Sequence, residues 1–248
     1  MQEITSVNNQ LVKDIVKLQQ KKYRDKENLF LLEGYKPIKE AFDAGIQFKE
    51  IFVLKDKSEK YSFISDKLVL TNELVLKKIS TTDTPPEVVG VGVQKHYKLS
   101  DLKGKNKLVL LENIRDLGNL GTILRSAVAF GANGIILYGT SADIYNPKCV
   151  RSAVGNLWKL PVIYADTLEN LFDDYQRVAT LPHSNKYLRK FVPQKKILLM
   201  FGSEADGLSK ELIDYSNDSV KIEMSRTVES LNLSVSCSVL MYELFVNK

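Results

Sequence analysis

Three short segments concentrate side chains able to bind and orient a ligand. The first, Asn113 to Arg125 (NIRDLGNLGTILR), follows the apolar run LVLLE and brings Asn113, Arg115, Asp116, Asn119 and Arg125 together. The second, Gly202 to Leu208 (GSEADGL), follows the apolar run KILLMF and sets Glu204 and Asp206 between two glycines. Glycines there let the backbone take positive φ and approach a ligand closely. The third, Ser225 to Ser236 (SRTVESLNLSVS), offers Ser230, Asn232, Ser234 and Ser236, more hydroxyl and amide groups than a single helix cap needs. Each segment alone is no more than a capped strand-to-helix connection.

The elements around them change that reading. Residues 107–112, 134–138, 161–164, 177–181, 197–201 and 219–223 read as strands, and residues 119–130, 147–155, 208–214 and 230–246 as helices. Strands alternating with helices imply a parallel sheet, and strands apolar at successive positions imply one covered on both faces. All three polar turns follow strands of that sheet, so they converge on its carboxyl edge, where open α/β sheets bind ligands. A GxGxxG fingerprint, a GxxxxGK[ST] loop, a GxSxG elbow and zinc-ligand spacings are all missing from the sequence.

The N-terminal part reads as a small α/β domain. Val7, Leu11, Ile15 and Leu18 recur at helical spacing, which predicts one amphipathic helix from Ser6 to Lys22 with Lys13, Lys17 and Lys21 on its polar face. Short strands and helices follow, and the stretch TPPEVVGVGVQKHYKLSDLKGKNK has the composition of a domain junction. The expected domains are therefore 1–95 and 107–248, joined by a linker over 96–106. Of the net charge of +5, most lies early: residues 1–105 carry 19 Lys/Arg against 15 Asp/Glu. That bias suits a surface that tracks phosphates. Lys13, Lys17, Lys21, Lys22, Arg24 and Lys26 are the candidates for contacts with a phosphate backbone. The N-terminus lacks the apolar core of a secretory signal, and no stretch approaches a membrane span. Cys149 and Cys237 sit apart in apolar surroundings, so neither a disulfide framework nor a metal site is expected, and the reducing cytoplasm is the default location.

At this point a family resemblance becomes specific. NxRDxxNxGxxxR at Asn113 to Arg125, GSExxGL at Gly202 to Leu208 and IxMxxxVESLNxSVS at Ile222 to Ser236 resemble the three motifs of the SpoU (TrmH-type) branch of the SPOUT RNA methyltransferases. The segments ITSxxNxxVK and FLLEGYKPIKEA are similar to the substrate-binding domain of its ribosomal RNA members. The resemblance implies an α/β fold with a parallel-sheet SPOUT domain, a C-terminal trefoil knot and a small N-terminal α/β domain. It also implies a homodimer and transfer of a methyl group from S-adenosylmethionine to a ribose 2′-hydroxyl, most plainly of large-subunit ribosomal RNA. A transfer RNA substrate, or an RNA-binding assembly factor without turnover, are the alternatives. Residue by residue, it makes Arg125, Asn119, Glu204, Ser230 and Asn232 catalytic. It places Gly202, Glu204, Gly207, Ile222, Met224, Leu231 and Asn232 around the cofactor. The sequence departs from the pattern at Leu117 and Glu223, where proline is usual, and at Arg226, where a small residue is common.

Overall fold

The computed structural model describes residues 2–225, 227–228 and 230–246, apart from the side chains of Glu169 and Asn170. The chain divides into two compact units, residues 1–95 with 143–158, and residues 96–142 with 159–248.

The first unit is built on a five-stranded mixed sheet. Its strands are β1 (Gln2–Glu3), β2 (Leu29–Glu33), β3 (Phe48–Leu54), β4 (Leu68–Thr71) and β5 (Val88–Val93), in the order β1-β4-β3-β5-β2. β5 runs antiparallel to both neighbours. Its sequence VVGVGV explains its place between two aromatic-bearing strands: a Cβ at Gly92 would lie 2.8 Å from the Phe30 ring. Helices α1 (Gln10–Lys17), α2 (Lys21–Glu27), α3 (Tyr35–Asp43) and α4 (Glu73–Ile79) accompany the sheet.

One expectation fails here. The amphipathic stretch from Ser6 to Lys22 is not one helix: α1 ends at Leu18, Gln20 is extended, and α2 starts afresh at Lys21. The break is stabilised by Arg24, whose Nη1 donates to the carbonyls of Leu18 (2.8 Å) and Gln19 (2.9 Å), groups that a helix end leaves without partners. Nε and Nη2 of the same guanidinium donate to Asp143 Oδ2 at 3.0 and 2.5 Å. Helix α6 (Pro147–Ala153) and its flanks belong by compactness to this unit, although sequence puts them with the C-terminal elements. Tyr145 and Trp158 pack their rings on Phe30, with centroids 4.8 and 5.2 Å away.

The second unit carries a six-stranded, wholly parallel sheet. It comprises β6 (Lys107–Glu112), β7 (Gly134–Tyr138), β8 (Val162–Ala165), β9 (Gln176–Thr180), β10 (Ile197–Phe201) and β11 (Asp218–Val220), in the order β11-β9-β10-β6-β7-β8. The apolar runs LVLLE and ILLMF form the two central strands and are buried at every position but Lys107. Helices α5 (Leu117–Ala129), α7 (Lys210–Tyr215) and α8 (Leu233–Met241) complete it. Alternation is incomplete, since short 3-10 turns at Glu169–Phe172 and Leu188–Lys190 replace helices on either side of β9. Among the described residues no helix is long and apolar enough to cross a membrane.

Candidate active site

β6 and β10 are neighbours, with Leu108 opposite Leu198 and Leu111 opposite Phe201, so the turns that leave them start side by side. At the end of β6 the chain turns through Asn113, which takes the left-handed conformation (φ 52°). The Asn113 side chain accepts from Thr140 N at 2.8 Å, which ties the turn after β7 to this edge. Asp116 then caps α5 by accepting from Asn119 N at 2.7 Å. The cap starts the helix at Leu117, two residues earlier than the apolar periodicity indicates. Asn119 therefore sits in the first turn, where backbone N–H groups point outward and negative charge is favoured.

After β10, Ser203 and Gly207 exchange backbone hydrogen bonds at 3.1 Å in both directions and close a small loop. Only glycine fits its base: a Cβ at Gly202 would lie 1.8 Å from the Gly207 carbonyl carbon. Gly207 itself has φ 69°. The loop carries Glu204 outward into solvent. Its exit is held by the buried carboxylate of Glu112, which accepts from Ser209 N at 2.7 Å, and Ser209 in turn caps α7. Sequence reasoning misses Glu112, although an acid closing the otherwise apolar run LVLLE is a visible signal.

The third segment follows β11, the edge strand of the sheet, and its Asn232 meets α5. Asn232 caps α8, its Oδ1 accepting from Ser234 N (2.9 Å), Ser234 Oγ (2.6 Å) and Val235 N (3.4 Å). Three donors on that oxygen fix the amide's orientation. Its Nδ2 must then donate, and does so to Asn119 Oδ1 at 3.0 Å. Asn119 is oriented in its turn and donates from Nδ2 to Glu204 Oε1 at 2.9 Å. One directed chain, Asn232 to Asn119 to Glu204, thus joins all three polar turns. α8 is further pinned to α5 by the Ser126 and Ser238 hydroxyls, 2.8 Å apart.

The remaining residues stand around this chain rather than in it. Arg125, on α5, is exposed, and its side chain makes no hydrogen bond or ion pair with any described residue. Ser230 is likewise exposed and bonded to no described residue. Arg226 lies outside the described residues. Met224 and Leu231 are 38% and 36% exposed, and the backbone groups of Ile222, Met224 and Leu231 have no hydrogen-bond partner among the described residues. Unspent backbone donors and acceptors flanked by apolar side chains fit a nucleoside-bearing cofactor such as S-adenosylmethionine. A cavity of about 520 Å³ is lined by Phe130, Ile222, Glu223, Ser238 and Tyr242 among others, but by no member of the Asn232–Asn119–Glu204 chain. The polar chain, not the cavity, is where orienting groups converge. Glu223, at a position where proline was expected, faces Arg189 at 3.6 Å, so its charge is offset. Among the described residues no cluster of His, Cys, Asp or Glu could hold a metal ion.

In the first unit, Lys13 and Lys22 are exposed without an ion pair among the described residues, whereas Lys17, Lys21 and Lys26 lie by Asp14 (2.7 Å), Asp25 (2.5 Å) and Glu27 (3.5 Å). Arg24 has to be removed from the candidate RNA contacts. It is 1% exposed, and its donors are spent on Asp143 and the end of α1.

The chain is similar to known proteins over nearly its whole length. Residues 106–242 match the SpoU rRNA Methylase family and residues 9–90 the MRM3-like substrate binding domain. The 23S rRNA (guanosine(2553)-2′-O)-methyltransferase RlmP of Bacillus subtilis is 30% identical, over 98% of this chain and 99% of its own. An uncharacterised tRNA/rRNA methyltransferase of Synechocystis is 32% identical, over 97% and 92%. The crystal structure of an AdoMet-bound rRNA methyltransferase from Sinorhizobium meliloti superposes with a TM-score of 0.88 at 32% identity, over 98% and 96% of the two chains. With its three motifs joined at one sheet edge and its sequence matched over more than half its length, this chain belongs to the SpoU rRNA methylase family.

Proposed function

We propose that the protein transfers the methyl group of S-adenosylmethionine to a ribose 2′-hydroxyl of large-subunit ribosomal RNA. The observation that carries this reading is the hydrogen-bonded chain from Asn232 through Asn119 to Glu204, which unites the three segments of a ribosomal RNA methylase family at one edge. When bound, the cofactor supplies an activated methyl group on a sulfonium, so the protein's task is to orient and to let a proton leave. Gly202, Glu204, Gly207, Ile222, Met224, Leu231 and Asn232 would hold the cofactor. Asn119 and Asn232, each locked in one amide orientation, present fixed dipoles that need no rearrangement during reaction. Arg125, exposed on α5 with no described partner, acts as a clamp on the RNA backbone beside the reacting hydroxyl. Ser230, exposed and bonded to no described residue, would donate to the same ribose. Glu204 and Asn232 face solvent, and the hydroxyl proton leaves to water.

Residues 1–95 would serve as the RNA-binding domain, 96–106 as the linker and 107–248 as the methyltransferase domain. The return of the chain from β11 to α5 supports the trefoil knot. A stripe of half-exposed Val235, Val239, Tyr242 and Val246 along α8 and its continuation supports a homodimer. A cytoplasmic setting follows from the substrate. The test is transfer of labelled methyl from S-adenosylmethionine to size-fractionated bacterial RNA. Label is expected in large ribosomal RNA and should fall at least about 100-fold in Arg125→Ala. Label confined to transfer RNA, or full turnover by a folded Arg125→Ala, would overturn the reading.

A further inference from the structure

Within the first unit a second cavity, about 280 Å³, lies between α1, α2 and the sheet. Its floor is apolar, formed by Leu18, Leu29 and Val91, which are 3%, 9% and 1% exposed. Tyr23 forms a wall, and lysines 17, 26 and 49 stand on its lining. The carboxylate of Glu50 also lines it. Asp14 and Glu27, the other acids there, are engaged by Lys17 and Lys26, but the Glu50 carboxylate makes no hydrogen bond with any described residue. Burial raises its pKa, against the opposing pull of Lys49 and Lys67.

A half-buried carboxylate without a partner is costly, and here the backbone is bent to put it in place. β3 bulges between Phe48 and Glu50: Phe48 pairs with Gly92, yet Glu50 pairs with Val91. In a regular ladder Glu50 would stand opposite Gly90, on the other face of the sheet. The extra residue moves it to the face of Val91, which lines the cavity, and bulges commonly serve to re-aim a side chain in this way. The features add up to a site with one free double acceptor, an aromatic wall, an apolar floor and a cationic rim.

We infer that this cavity takes an unstacked guanine of the RNA substrate, with the Glu50 carboxylate accepting from both ring N1–H and the exocyclic amine. Of the four bases only guanine sets two donors side by side on its Watson–Crick edge, the match for a carboxylate's two oxygens. Single-stranded RNA is read in this manner, by an aromatic side chain beside the base and hydrogen bonds to that edge. Tyr23 would flank the base, while Lys49, which has no ion-pair partner among the described residues, and Lys26 would meet the phosphates.

The inference rests on an RNA substrate but is tested apart from turnover. With the intact chain methyl-labelled at Leu and Val, guanosine 5′-monophosphate should shift the methyl signals of Leu18, Leu29 and Val91. It should bind about tenfold more tightly than inosine 5′-monophosphate, which lacks the exocyclic amine, and Glu50→Gln should abolish that preference without unfolding the domain. Unmoved methyl signals, an equal response to adenosine 5′-monophosphate, or a preference that survives Glu50→Gln would overturn the assignment. Wild-type protein that methylates ribosomal RNA yet gives no guanosine response overturns the pocket alone. A guanosine response in protein that transfers no methyl overturns the proposed function alone.

Discussion

Asn119 Nδ2 donates to Glu204 Oε1 at 2.9 Å, so the turn after β6 and the turn after β10 are held together by side chains as well as by strand pairing. The bond is exposed and contributes little to folding, under about 1 kcal/mol. Its value is orientation. Asn119→Ala should retain the thermal unfolding of the parent while lowering kcat for methyl transfer by about 100-fold or more. Asn119→Asp should do no better, because it sets a second carboxylate against Glu204. Comparison of unfolding curves with initial rates separates the two effects.

Arg24 and the neighbouring lysines should respond in opposite ways. Truncating Arg24 to Ala leaves Asp143 and the end of α1 without donors, a loss of about 3–5 kcal/mol readable in urea unfolding. Lys13→Gln with Lys22→Gln should leave stability unchanged and reduce the salt slope of RNA binding by about one for every phosphate that is no longer neutralised. A salt slope identical to the parent would remove both lysines from the RNA surface.

The two cysteines predict the alkaline limit of the fold. Burial pushes both thiols up, Cys237 well above its ordinary value of 9.0, with the charge of Glu204 adding to the effect. Folded thiols therefore keep protons that the unfolded chain gives up near pH 9. Stability from this source is full below that pH and should decline above it by up to about 1.4 kcal/mol per pH unit for each thiol. Cys149→Ala should flatten the decline by one proton's worth, and neither thiol should react with a disulfide reagent at pH 8 without denaturant. Rapid labelling of the native protein would contradict the burial.

The stripe on α8 sets a fourth expectation. Val239→Glu places a charge among Val235, Tyr242 and Val246 and should shift sedimentation from dimer to monomer. An unchanged sedimentation coefficient would overturn the assignment of this stripe to the proposed dimer contact.

What the sequence made legible follows from range. β6, β7 and β10 appear at their expected residues because a strand covered on both faces must be apolar throughout, which is a local signal. The convergence of three turns was also legible, since parallel strands put their carboxyl ends on one edge. Which turns would touch was not: Asn119 and Glu204 are 85 residues apart, and their meeting depends on β6 and β10 being neighbours. The break between α1 and α2 was hidden for the same reason. Its stabilising partner, Asp143, lies 119 residues beyond Arg24, and no helical periodicity reports that. The bulge at Glu50 is likewise set by pairing with β5 rather than by its own sequence.

The tight loop at Gly202 has a genetic consequence. One added methyl group there would collide with the backbone of Gly207, and the collision is relieved only by opening the Ser203–Gly207 bridge that carries Glu204. The nearest atoms that methyl would meet, the Gly207 carbonyl and Leu208 N, all belong to the loop and its exit. Gly202→Ala is thus a separation-of-function allele in waiting: a protein that still assembles and still engages RNA, but can no longer complete its reaction.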